Sequence, residues 1–196
     1  MGVTFDPIRS VAEIMRGFPH PWFVSGGWAI DLFLQHVTRD HSDIEIGIYR
    51  RDQQAIHQHL PGWTLEKVVQ IPDGGNWVPW EESEQLNLPV HQVRAKRLQP
   101  EPLEFEFFLN ECNETHWMSR RHPELIRPMD EIMMMSFLGI PILAPEIQLL
   151  FKAKQTRPKD QNDFDLMLPF LNPAQRRWLA DALKQYYPDH SWQISH

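Results

Sequence analysis

The chain has 196 residues, is 42% hydrophobic with eight tryptophans, and carries 19 Lys and Arg against 26 Asp and Glu, a formal net charge of −7. That content suits one domain, with room for a small appendage, and argues against disorder, while the acidic balance argues against the basic footprint of a general nucleic-acid binder and leaves room for cationic small ligands. One cysteine, Cys112, excludes an internal disulfide, and the absence of a signal-like N-terminus or of any apolar run near the ~18 residues that a membrane span needs predicts a cytoplasmic protein.

In chain order, Pro7 to Phe18 places Ile8, Val11, Ile14 and Met15 at helical spacing, with Asp6 as expected N-cap and Pro7 at the first helical position. "WFVSGG" predicts a short strand ending in glycines, and "WAIDLFLQHV" a helix with Ile30, Phe33 and Leu34 on one face. "DIEIGIY" alternates with a period of two until Gly47 and predicts a strand. A helix over "RRDQQAIHQHL" and a strand over "WTLEKVVQI" follow. Pro72 to Pro89 is rich in turn formers, shows no period and predicts a long loop of the kind that often carries function. "VHQVRAKR" and "LEFEFFLNE" predict two strands, His116 to Leu143 short strands with a turn at "FLGIPIL", and the remainder helices, the last capped by Asn172 before Pro173. The fold class expected is α+β. Residues 1–143 form a mixed sheet flanked by helices, and residues 144–196 a helical C-terminal part.

Side chains alternate across a strand, so Asp43 and Glu45 project from one face. Two carboxylates so placed repel each other unless the face is solvated or a cation lies between them. An ordinary half-exposed strand accounts for a lone pair. A divalent metal is the other account, because Mg²⁺ prefers hard carboxylate oxygens and keeps positions open for phosphate. In "LEFEFFLNE", Glu104 and Glu106 again share a face, and if this strand neighbours the first, a third carboxylate joins the pair. Three carboxylates suit two-metal phosphoryl transfer, the third binding metal or taking a proton from an incoming hydroxyl. "SGG" at Ser25 to Gly27 lets the backbone approach a ligand and offers helix N–H groups to an anion, although any strand-to-helix turn uses such residues.

"GGWAID" followed by "RDHSDIEI", with Asp43 sixteen positions after Gly27, resembles the signature of the polymerase-beta-type nucleotidyltransferase superfamily. The likeness is greatest to its aminoglycoside 2''-adenylyltransferase and lincosamide nucleotidyltransferase group, and the downstream "FLNE…W…RR…GIPILAPEIQLLFKAK…RPKDQNDF" is similar to that group as well. The resemblance implies a nucleotidyltransferase-like sheet. It implies Ser25, Gly26 and Gly27 around a nucleotide triphosphate, with ATP or another NTP as co-substrate. It also implies two Mg²⁺ ions held by Asp43, Glu45 and Glu106. Glu106 would act as base, with Glu104 as fallback. Glu45 and Glu106 stand where close relatives carry Asp. Lys152 would neutralise charge on departing pyrophosphate; Lys154 and Lys159 also match the group.

The implied acceptor is a small hydroxyl compound such as an aminoglycoside- or lincosamide-like molecule, with no membrane partner and nucleic acid disfavoured. Trp77, Trp80, Glu81, Glu82 and Glu84 would receive cationic sugar rings, or simply form an acidic loop tucked on the core. His41 would orient a carboxylate or serve as a turn residue, and Arg120 and Arg121 would meet phosphate or solvate a strand end. Two alternatives stay open: a nucleotide-binding module that has lost turnover, and a toxin-like transferase acting on a protein or tRNA.

Overall fold

The computed structural model describes residues 4–71, 74–192 and 194. Helix α1 (Asp6–Met15) buries Ile8, Val11 and Met15. Its cap is Phe5 rather than Asp6. Asp6 sits in the first turn, where its charge suits the helix dipole, and accepts a 2.8 Å hydrogen bond from the Thr4 hydroxyl.

One mixed sheet organises the chain. β1 (Trp22–Ser25) leads directly into α2 (Gly26–Leu34). β2 (Glu45–Tyr49) is followed by a 3₁₀ turn and the short α3 (Ala55–His59). β3 (Thr64–Ile71), β4 (Gly74–Pro79), β5 (Gln92–Arg97) and β6 (Leu103–Cys112) complete one side. With β9 (Met133–Met135) and β10 (Pro141–Leu143), the spatial order is β4-β3-β5-β6-β2-β1-β10-β9, with β7 (His116–Met118) pairing β6 and β8 (Ile126–Pro128) pairing β7. β9 and β10 form a hairpin closed by the expected turn, through Ser136 and Ile140. Two pairings are parallel, β2 with β6 and β1 with β10; the others are antiparallel. The architecture is α+β, as expected.

The expected Pro72–Pro89 loop is corrected in part. Gly74–Pro79 pairs antiparallel with β3 as an edge strand, while Pro72 and Asp73 lie outside the described residues. An edge strand with no buried side chain needs no apolar alternation, so its backbone pairing left no trace in the side-chain pattern.

The main core gathers β-strand residues such as Val24, Ile46, Ile48 and Phe107 with α1 and α2. α4 (Pro145–Ala153), α5 (Pro158–Met167) and α6 (Pro173–Tyr186) pack on α2 through Ile30, Leu149, Phe164 and Leu179. α6 carries the expected cap: Asn172 accepts from the Gln175 N–H while the Gln175 side chain accepts from the Asn172 N–H. Ile147 of α4 joins Phe23, Tyr49 and Leu143 in a third cluster, which fixes α4 beside the ends of β1 and β2.

Candidate active site

The strand ends and α4 enclose a cavity of about 470 Å³. Ser25, Gly26, Gly27, Asp43, Glu45 and Lys152 all line it. Glu106 does not, but the parallel register sets it opposite Glu45, and Ser25 lies opposite Glu45 on the other side. Neighbouring strands are about 4.8 Å apart, so Ser25, Glu45 and Glu106 form a short row across three strands. Asp43 lies two residues before β2, exposed at the mouth.

No ion pair reaches Asp43, Glu45 or Glu106 among the described residues. Ser25 Oγ lies 3.5 Å from Glu45 Oε2, and Gln92 Nε2 donates to Glu106 Oε2 at 2.5 Å. Burial pushes the Glu45 carboxyl up to about 7; the Asp43 charge adds to this, Lys152 opposes it, and Glu106 adds again. Glu106 is also raised, by burial first and by Asp43 against the Gln92 hydrogen bond. These are the shifts of buried acids crowded together, with Lys152 and Arg94 near enough to oppose them but not ion-paired to them.

The three side chains do not converge in this structure. Among the described residues, no three His, Cys, Asp or Glu side chains stand close enough to hold one metal ion. Glu106 is turned onto Gln92, so a shared ion requires a side-chain rotation on an already adjacent backbone. The donor set itself, hard oxygens that lack a cation, suits Mg²⁺. Glu104 stands apart, half exposed, with Arg94 and Lys96 at 3.7 and 4.0 Å.

The glycine turn is occupied by the protein. Gly26 has φ +68°, and a Cβ there would fall 2.6 Å from Glu45 Cδ, so the residue must be glycine for the carboxylate to sit where it does. Its N–H donates to Gln148 Oε1 at 2.8 Å. At Gly27 a Cβ would strike the His41 ring and the Arg39 guanidinium. Gln148 escaped the sequence reading. It stands one helical turn before Lys152, a spacing that could have singled it out.

On the opposite wall the charges are paired. Lys152 Nζ lies 3.0 Å from Asp160 Oδ1 and 2.8 Å from Asp163 Oδ2, all three buried. Burial pushes the Asp160 carboxyl up, but hydrogen bonds from Arg157 and Lys152 outweigh it and hold the group well below the usual range. Asp160 also accepts from the Arg157 N–H at the start of α5. Arg39 Nη2 reaches Asp163 at 3.4 Å, and Arg39 Nη1 donates to His41 Nδ1 at 2.8 Å. His41 Nε2 then donates to Asp31 Oδ2 at 2.6 Å. His41 therefore holds Asp31, buried in α2, rather than a cavity carboxylate.

None of the tryptophans and glutamates of the Trp77–Glu84 segment lines the cavity. Trp77 lies under the Arg94 guanidinium at 4.3 Å, and Trp80 is buried against His57. Glu84 pairs with Lys67. Arg120 and Arg121, by contrast, both line it.

A family model described as aminoglycoside-2''-adenylyltransferase matches residues 7–72, about a third of the chain. No curated protein sequence matches the chain significantly. Among solved structures, a lincosamide antibiotic adenylyltransferase, LnuA, with lincomycin bound is similar at a TM-score of 0.58 and 18% identity, over 85% of this chain and 98% of that one. ANT(2")-Ia in complex with adenylyl-2"-tobramycin is similar at 0.55 and 14% identity, over 94% and 99%. The chain thus has the nucleotidyltransferase fold and, through its first strands and α2, resembles the aminoglycoside and lincosamide nucleotidyltransferase group.

Proposed function

We propose that this chain transfers a nucleoside monophosphate, AMP from ATP in the first instance, to a hydroxyl of a small molecule with the help of Mg²⁺. The observation that carries this reading is the row Glu45–Glu106 with Asp43 beside it, three carboxylates without an ion-pair partner, two of them lining the cavity. Asp43, Glu45 and Glu106 would hold the metal, which when bound supplies charge neutralisation for the triphosphate and its leaving group. Glu106, whose proton affinity is already raised, takes the proton of the acceptor hydroxyl. The acceptor oxygen bonds to the α-phosphorus as the bond to the bridging oxygen breaks, and pyrophosphate leaves. Gln148 releases the Gly26 N–H to a phosphate oxygen at the start of α2. Lys152, tied to Asp160 and Asp163, contributes a fixed positive field rather than a mobile contact.

A nucleotide-binding module without turnover is favoured by one observation, the failure of the three carboxylates to converge. Pyrophosphate release with ATP and Mg²⁺ over a panel of hydroxyl compounds separates the two. Turnover in the wild type that Asp43→Asn abolishes supports the transferase; nucleotide binding without turnover on any acceptor supports the module.

A further inference from the structure

The cavity is basic although the chain is acidic. Its lining includes seven Arg or Lys side chains and three Asp or Glu, against 19 and 26 in the whole sequence. Some of that positive charge is internal, since Lys152 and Arg157 are paired with Asp160, and Lys152 and Arg39 with Asp163. Arg120 is different. It is half-buried and makes no hydrogen bond or ion pair to any described residue. Burial, then the neighbouring Arg121 charge, pulls its proton affinity down; Glu111 opposes this, but Glu111 is itself paired with Arg50. An uncompensated guanidinium inside a cavity is costly unless a ligand supplies the anion.

The loop that carries it is braced. The Ser119 N–H donates to the Leu125 carbonyl at 2.9 Å, and Ser119 Oγ accepts from the His122 N–H at 3.3 Å. Arg121 donates to the Phe151 carbonyl at 2.8 Å. The loop follows β7, whose Trp117 donates to Asn110 of β6 at 3.1 Å. Asn110 is four residues beyond Glu106 on the same strand face, roughly 13 Å at the rise of a strand. Arg120 thus lines the same cavity from the loop after β7, with Phe108 and Phe151 also in the lining. None of the acidic and aromatic side chains of Trp77–Glu84 that would suit a polycationic sugar lines the cavity, and Trp77 and Glu84 are engaged by Arg94 and Lys67.

We infer that the acceptor is a hydroxyl compound with an apolar body and an anionic group, carboxylate or phosphate monoester, and that Arg120 holds that group. This rests on the transferase reading and assigns its substrate class. Arg120→Gln and Arg120→Lys are compared with wild type, using ATP–Mg²⁺ turnover and thermal-shift binding. The probes are tobramycin, lincomycin, hydroxybenzoates, aliphatic hydroxy acids and hexose phosphates. The expected result is stabilisation and turnover with an acid. Its KM rises about tenfold or more in Arg120→Gln and partly recovers in Arg120→Lys, as loss of one charged hydrogen bond requires. The carboxylate and phosphate arms identify which anion is read. Stabilisation by tobramycin or lincomycin alone, or by none of the acids, overturns the inference. So does an Arg120→Gln effect that falls on ATP, since Arg120 would then serve the triphosphate. Failure of the transferase reading looks different: acids still stabilise the wild type, and ATP with Mg²⁺ does not.

Discussion

The two walls of the cavity treat charge in opposite ways. On the β2–β6 wall, Asp43, Glu45 and Glu106 stand together with only Ser25 and Gln92 as partners, and both glutamates are driven toward protonation. On the α4–α5 wall, Lys152, Asp160, Asp163, Arg39, His41 and Asp31 form a chain of contacts in which each side chain meets a partner. Asp43 is exposed, but Glu45 and Glu106 are partly buried, so solvent does not account for those two unpaired acids. The paired wall balances its charges within the protein and holds α2 to α5, with only Arg39 Nε and Asp163 Oδ1 of these side chains buried without a hydrogen-bond partner. The unpaired wall lacks such partners, and it is there that we propose the chemistry.

Substitutions on the two walls should therefore separate activity from stability. The largest effect is expected from Asp43→Asn, which should lower pyrophosphate release by about 10²- to 10³-fold or more while leaving the melting temperature unchanged or higher. A comparable loss of stability would merge the walls. Lys152→Met should do the reverse in its main effect, costing about 3–5 kcal/mol because two buried carboxylates lose their shared cation. A denaturant midpoint within error of wild type would contradict the paired-wall description. The same variant removes a charge that lowers the Glu45 carboxyl, so Glu45 should titrate at still higher pH.

Glu45 gives a pH signature. Its folded value, about 7, lies above the ordinary 4.5, so the folded state binds the extra proton between those values. Metal-free stability should then fall as pH rises from about 4.5 to 7, by up to about 3 kcal/mol from this group. Glu45→Gln should remove that slope, and denaturant unfolding across the range reads it. The smallest effect is expected from Gln92→Leu. Its amide holds the Glu106 proton affinity down, so the acidic limb of the pH–rate profile should move to higher pH. A limb that stays in place would remove Glu106 from the base role.

Much of this was legible in the sequence. Period-two alternation located β2 and β6, and helical spacing located α1 and α4, because burial on one face leaves a periodic trace. The edge strand β4 left none. The adjacency of Glu45 and Glu106 depended on β6 pairing beside β2, a long-range register that local pattern only suggested. Lys152 illustrates the limit more sharply. Its position on α4 was readable, but its engagement by Asp160 and Asp163 arises from the packing of α5, eight and eleven residues later. Likewise His41 precedes the acidic strand in sequence yet folds back onto Asp31. The Trp77–Glu84 segment read either as a sugar-binding loop or as an acidic loop tucked on the core, and the engagement of Trp77, Trp80 and Glu84 by Arg94, His57 and Lys67 favours the second.

The claim that the unpaired wall is a metal–nucleotide site can be tested without knowing the acceptor. Mn²⁺ is titrated into the protein with a non-hydrolysable ATP analogue, and the free-ion signal is followed by electron paramagnetic resonance. The account predicts bound Mn²⁺ in the wild type and its loss in the Asp43→Asn/Glu45→Gln double variant. Equal binding by both proteins, or none by the wild type, would contradict it.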